Sequence, residues 1–184
     1  MNHMKCVMIL LVLCTALNGA TLAKVTMPDT VTVDGKTLVL NGMALREKFV
    51  FKVYVDGLYL EQKEQKAEMI LQRDQVRHNV MHFLRSVGKG KLNDAWNDGL
   101  EANVPEAGQA LKEKFSRLND LMEDMEDGDV MMFTYLPGIG TRIVVKGQQK
   151  GLIDGKEFAD ALFSCWIGPE PGPGQKFKEK LLGL

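Results

Sequence analysis

REKFVFKVYVDGLYLE, residues 46–61, sets an arginine, two lysines, two tyrosines and an aspartate among strand-forming apolar residues. Alternation places Phe49, Phe51, Val53 and Val55 on one parity and Val50, Lys52, Tyr54 and Asp56 on the other. A half-buried strand of this kind turns its apolar parity to a core. Its polar parity then faces water or a ligand pocket.

Working outward, TVTVDGKTLVL (30–40) alternates on both sides of Asp34-Gly35, a strong two-residue hairpin signal. NGMALREK (41–48) holds turn residues that would let the chain reverse between Gly42 and Lys48. Downstream, residues 63–74 read as a short surface helix and VRHNVMHFLRSV (76–87) as another strand. Leu92, Ala95, Trp96 and Leu100 recur at helical spacing, and Leu111, Phe115, Leu118 and Met122 do so again, with Pro105 between the two stretches. Strand character returns over 130–155, turning at Pro137-Gly138-Ile139-Gly140. Phe158, Leu162, Phe163 and Trp166 then form a helical stripe halted by Gly168-Pro169, and a last short helix follows from Gln175. The order strands, helices, strands, helices predicts an α+β domain with an antiparallel sheet rather than alternating βαβ units.

The front of the chain has the three-part layout of a secretory signal peptide. Lys5 precedes an apolar run from Cys6 to Leu17, and small and turn-forming residues lead to Ala23. Residues 1–23 are therefore expected to be a leader cleaved near Ala23, and 24–184 a single exported domain. The run is too short and wrongly flanked for a spanning helix. Cleavage removes Cys6 and Cys14, so Cys165 remains alone and no internal disulfide can form. It removes only Lys5 among charged residues, leaving 22 basic against 24 acidic side chains. That balance gives no overall basic field of the kind that nucleic acid or an anionic membrane attracts.

Several residue groups invite chemistry and fail on spacing. His78 and His82 lie roughly 13 Å apart on a strand, at about 3.3 Å per residue, too far to share a metal ion. They are expected on the sheet surface. The carboxylates from Glu123 to Asp129 do not match a calcium loop, because Met125 falls on a ligand position. GKGK (88–91) and GIG (138–140) lack the context of a phosphate loop and read as turns. No cofactor or metal is implied. Cys165 lies in an apolar helical stripe and reads first as a buried thiol.

Arg46 and Tyr54 remain. A guanidinium can hold a carboxylate or phenolate through two parallel hydrogen bonds, and a phenol can add a third. If the chain reverses between Gly42 and Lys48 the two can meet; if 46–54 is one extended strand they lie roughly 26 Å apart.

NGMALREKFVFKVYVDGLYLE, FLRSVGKGKLNDAWNDGLEAN, FTYLPGIGTRIVVKG and FADALFSCWIGPEPGPG resemble successive blocks of the chalcone isomerase superfamily, especially its secreted bacterial members. The resemblance spans roughly Val25 to Leu182. It implies an open-faced β-sandwich, a large antiparallel sheet covered on one face by helices, with a ligand cleft between the layers. Arg46 matches the arginine that holds the phenolate in the plant enzymes, and Tyr54 stands in place of their threonine. Counting back from Trp96, their tyrosine and asparagine fall at about Leu84 and Lys91, and their late serine or threonine at or beside Cys165. Leu84 has no donor with which to polarise a carbonyl. The arginine and tyrosine pair instead resembles the fatty-acid-binding branch, where two such side chains clamp a carboxylate.

The resemblance therefore implies an exported, periplasmic protein that holds a fatty acid or similar amphipathic anion at Arg46, Tyr54 and Cys165. Two other readings stay open: an intramolecular lyase or isomerase on a phenolic or enone substrate, and a non-catalytic structural or interaction module in which Arg46 caps the hairpin or pairs with Glu47 or Asp56.

Overall fold

The computed structural model describes residues 19–184. The expected leader falls mostly outside that span. Gly19–Leu22, at its end, form strand β1, which pairs with β2 (Val25–Pro28) in a two-stranded hairpin turning at Ala23 and Lys24.

The next five strands and the helices between them follow directly: β3 (Thr30–Val33), β4 (Lys36–Lys48), β5 (Phe51–Leu60), α1 (Ala67–Gln72), β6 (Arg77–Phe83), α2 (Lys89–Asn103), α3 (Gln109–Leu121) and β7 (Val130–Leu136). The chain finishes with β8 (Gly140–Val145), β9 (Gln148–Ile153), α4 (Lys156–Ile167) and α5 (Gln175–Leu181). Strands β3 to β9 form one seven-stranded antiparallel sheet in chain order. The fold is α+β, as expected. Asp34 and Gly35 both take positive φ in the β3–β4 turn, the backbone that makes Asp-Gly a hairpin signal.

Helices cover one face of the sheet. Leu92, Trp96 and Leu100 of α2, Leu111, Phe115 and Leu118 of α3, and Phe158, Leu162, Phe163 and Trp166 of α4 pack on Leu58, Leu60, Met81, Phe83, Met131, Phe133 and Ile143. Ala95, expected on the α2 stripe, is exposed. The helices pack closely: a Cβ at Gly99 of α2 would meet Cys165 Sγ of α4 at 2.5 Å. The opposite face is covered only in part, where Met27 of the β1–β2 hairpin joins Leu38, Leu40, Val55 and Tyr59 in a second apolar cluster.

Four local expectations need correction. The chain reverses at Phe49-Val50, between register partners Lys48 and Phe51, and not between Gly42 and Lys48. The parity of β5 is also inverted: Leu58 and Leu60, which share the parity of Tyr54 and Asp56, lie beneath the helices. Val55 and Tyr59 turn to the second cluster, while Phe49, Val50 and Phe51 stay exposed. Side-chain period 2 ties every residue of the strand to one assignment of faces, and Leu58 and Leu60 beneath the helices fix it. Lys89, Gly90 and Lys91 of the GKGK stretch begin α2 rather than forming a turn. Finally, His78 is buried, hydrogen-bonded to Thr134 Oγ1 at 2.8 Å and tilted against Tyr59. Burial lowers its pKa to about 4, so it is neutral.

Candidate functional site

Arg46 and Tyr54 are direct Cα partners across the β4–β5 ladder. Partners opposite one another point to the same face, and here that face lies under the helices. The long β4 carries Arg46 down from the hairpin tip, and a register shift between Arg46 and Glu47 marks where the ladder becomes irregular. The Arg46 guanidinium donates from Nη1 to the Pro173 carbonyl oxygen at 2.9 Å. Neither Glu47 nor Asp56 pairs with it, and among the described residues no carboxylate forms an ion pair with Arg46.

Aromatic rings wall Tyr54. Phe83 of β6 is tilted against it at 5.7 Å between centroids, and Phe177 of α5 meets it edge-on at 5.9 Å. Burial pushes the Tyr54 hydroxyl well above the usual phenol range, helped by the neighbouring Asp56 carboxylate and opposed by Arg46 and the Trp166 indole. Tyr54 is thus a neutral hydroxyl at any physiological pH. It can donate to an anion and cannot act as a phenolate base.

Asp56 stands two residues farther along β5 on the same face and is fully buried. Its Oδ2 accepts from Asn79 Nδ2 at 3.2 Å, while Oδ1 has no hydrogen-bond partner. Burial raises its pKa to about 8, against the stabilising pull of Asn79 and the Gly57 N–H. At neutral pH the group is chiefly a carboxylic acid. The sequence places Asp56 on the polar parity of the strand and offers it as a partner for Arg46; its burial follows from the alternation running on to Leu58 and Leu60.

Cys165 lies on α4 in the layer above the sheet, buried, with Sγ 3.6 Å from the Ala161 carbonyl. Burial raises its pKa to about 12, so it is an inert thiol that contributes apolar surface. The three residues expected together are therefore arranged as a pair on the sheet, Arg46 and Tyr54, with Cys165 in the helix layer packed against Gly99.

The roof over the pair is the segment Gly168–Gly174 with α5. It holds the Pro173 carbonyl against Arg46 and the Phe177 ring against Tyr54. Close approach anchors α5: a Cβ at Gly42 of β4 would collide with the Lys180 carbonyl. Two surface grooves, about 430 and 470 Å³, open elsewhere. The first is lined by Leu71, Val104, Leu111 and Ala161, the second by Asn41, Glu64 and Leu182, and neither wall includes Arg46 or Tyr54.

A sequence profile described as chalcone isomerase-like matches residues 19–183. The chain belongs to the chalcone isomerase-like family. The match covers nearly the whole chain, which accounts for the agreement between the expected and observed order of elements. Among solved structures, a fatty-acid binding protein of Arabidopsis thaliana is similar, with a TM-score of 0.67 and 14% identity over 90% of this chain and 96% of that one. At that identity the likeness speaks for the fold. No curated protein sequence matches this chain.

Within this chalcone isomerase-like fold, the position counted to Leu84 turns away from the pair. Leu84 packs with the second cluster, and Phe83 takes the place beside Tyr54. Lys91 is exposed in the first turn of α2. Neither Phe83 nor Leu84 has a hydroxyl to offer a carbonyl.

A second polar cluster, not anticipated from sequence, lies farther along the sheet. Arg77 of β6 is fully buried, with Nη2 2.6 Å from Asp160 Oδ1 and its guanidinium over the rings of Tyr135 and Phe163 at 4.7 and 5.0 Å. Asp160 also accepts from Lys156 at 2.6 Å. A buried arginine between two aromatic rings and a carboxylate is a structural knot that ties α4 to the sheet.

Proposed function

We propose that this protein binds a small amphipathic anion, a fatty acid or similar carboxylate, between the sheet and the helix layer, and does not turn it over. The observation that carries the reading is the pairing of Arg46 with Tyr54 on the helix-covered face, with the guanidinium spent on a neutral backbone carbonyl. A carboxylate would replace the Pro173 oxygen with two charge-assisted hydrogen bonds, and the neutral Tyr54 hydroxyl would add a third. The tail would lie against Phe83, Trp166 and Phe177, each methylene contributing about 0.8 kcal/mol. Support from outside the chain is the likeness to the Arabidopsis structure, which is that of a fatty-acid binding protein. Against turnover stands the chemistry beside Tyr54, where Phe83 occupies the face on which a carbonyl-polarising donor would be needed.

We infer also that the protein acts after export, in the periplasm. The apolar run Cys6–Leu17 behind Lys5 supports this. Cleavage after Ala23 would leave β2 without its β1 partner, so the intact mass of the exported chain fixes where processing occurs.

The test is native mass spectrometry of the protein purified without detergent, comparing wild type with Arg46→Ala. A fatty-acid-sized adduct in the wild type that disappears in the variant is the expected result. An adduct retained at full occupancy in Arg46→Ala, or none in either protein, overturns the proposal.

A further inference from the structure

The β4–β5 hairpin ends in three consecutive apolar side chains in water: Phe49 is 90% exposed, Val50 87% and Phe51 54%. Single exposed apolar residues are ordinary, but here three in a row stand at a hairpin tip, and Phe49 and Val50 bury almost nothing within the chain. The backbone makes the choice of residue more pointed. Phe49 is the first of the two loop residues and has φ +57, a conformation for which such turns favour glycine and in which a bulky side chain is strained. The other tight turns of the same sheet have two left-handed residues each, Asp34 with Gly35 and Lys146 with Gly147, and none of these is an aromatic. At the β4–β5 tip a phenyl ring is kept in the conformation that suits glycine, and strain of this sort gathers at functional sites.

The tip has a cationic collar. Lys48 and Lys52 flank it and are exposed, and Arg85 holds its guanidinium 4.5 Å from the centre of the Phe51 ring. Glu47 is the one acidic side chain between Arg46 and Lys52. The whole chain carries a formal charge of −1, so this positive patch is local and does not register in the overall balance. An apolar wedge ringed by lysine and arginine fits a bilayer interface: the rings enter the acyl boundary while the long cationic side chains reach the headgroup phosphates.

We infer that the hairpin tip Phe49–Phe51, with Lys48, Lys52 and Arg85, docks this protein peripherally on an anionic lipid surface. No helix among the described residues is long and apolar enough to cross a membrane. The docking is independent of whether the Arg46–Tyr54 face holds a ligand.

The experiment places a tryptophan at the tip, Phe49→Trp, in the full chain, and for comparison at Ile139, which is 56% exposed in the β7–β8 turn at the other end of the sheet. Trp96 and Trp166 are buried and give a constant background. The probe is a vesicle of phosphatidylglycerol and phosphatidylethanolamine with brominated acyl chains. The Phe49→Trp indole is expected to shift to the blue and to be quenched several-fold more than the Ile139→Trp indole. High salt, or addition of Lys48→Glu with Lys52→Glu, should remove most of that difference. Equal quenching at the two positions overturns the inference, whatever else in the chain touches lipid. So does a blue shift of the Phe49→Trp emission that grows with protein concentration without vesicles, which would assign the tip to contact between two copies.

Discussion

Arg46 and Tyr54 face one another across the β4–β5 hairpin, yet the guanidinium donates to the Pro173 carbonyl, 127 residues away in sequence. The strand pairing sets the two side chains on one face, and the α5 segment supplies the partner.

Arginine and lysine should not be interchangeable here. Arg46→Lys keeps the charge and loses the fork that fits a carboxylate, so calorimetric titration with a long-chain fatty acid is expected to show about tenfold weaker binding, or ~1.4 kcal/mol. Tyr54→Phe deletes one neutral donor and should cost about 1 kcal/mol. Unchanged affinity in both variants would place the carboxylate elsewhere.

Asp56 should give the fold a pH dependence with a definite sign. Its pKa is about 8 when folded and 3.8 in its ordinary state, so between those values the folded chain holds a proton that the unfolded chain has released. Its contribution to stability is full below the lower value. It declines as pH rises, by roughly 1.4 kcal/mol per pH unit, and the loss is complete above the folded pKa. Urea midpoints for Asp56→Asn across this window should lack the decline seen in wild type. Parallel curves for the two proteins would show that Asp56 is ionised in the fold.

At the Arg77–Asp160 pair, the two ends should respond unequally. Asp160→Ala leaves a buried guanidinium without its counter-charge and is expected to cost roughly 3–5 kcal/mol. Arg77→Met, of similar length and suited to the aromatic slot between Tyr135 and Phe163, should cost less. Denaturant unfolding of both variants measures the order, and a larger loss in Arg77→Met would mean that the cation itself holds the layer together.

Phe49→Gly should move stability and lipid contact in opposite directions. Glycine relieves the left-handed strain at φ +57, a gain of about 1 kcal/mol that thermal unfolding can read, and it removes the wedge. A destabilised Phe49→Gly protein would mean that the exposed ring supports the hairpin after all.

The architecture was legible where periodicity and turn chemistry agreed. Asp34-Gly35 announced its hairpin, and the α3 and α4 stripes chose their buried residues correctly. The β4–β5 reversal was not, because Phe-Val has none of the residues that favour a tight turn and draws its position from the ladder on either side. The buried face of β5 was misjudged because its first half is polar inside and greasy outside; Leu58 and Leu60 settle the face only when the strand is read to its end. For the candidate site, Arg46 and Tyr54 could be named from sequence, but their meeting depended on that turn. The roof, Pro173 and Phe177, comes from an element with no local relation to β4. Arg77 escaped notice because nothing in a strand pattern distinguishes a buried arginine from an exposed one.

Strand order in the large sheet is the order of synthesis, so each strand finds its neighbour already made. Short separations of this sort favour growth of the sheet at one edge as the chain emerges. The exception is α5, which returns across the molecule to cover β4. The Arg46–Tyr54 face is therefore roofed by a segment 127 residues downstream of Arg46. Under the proposed binding role, an anion that reaches the open sheet during folding, before α5 packs on β4, would be enclosed with no later opening of the protein.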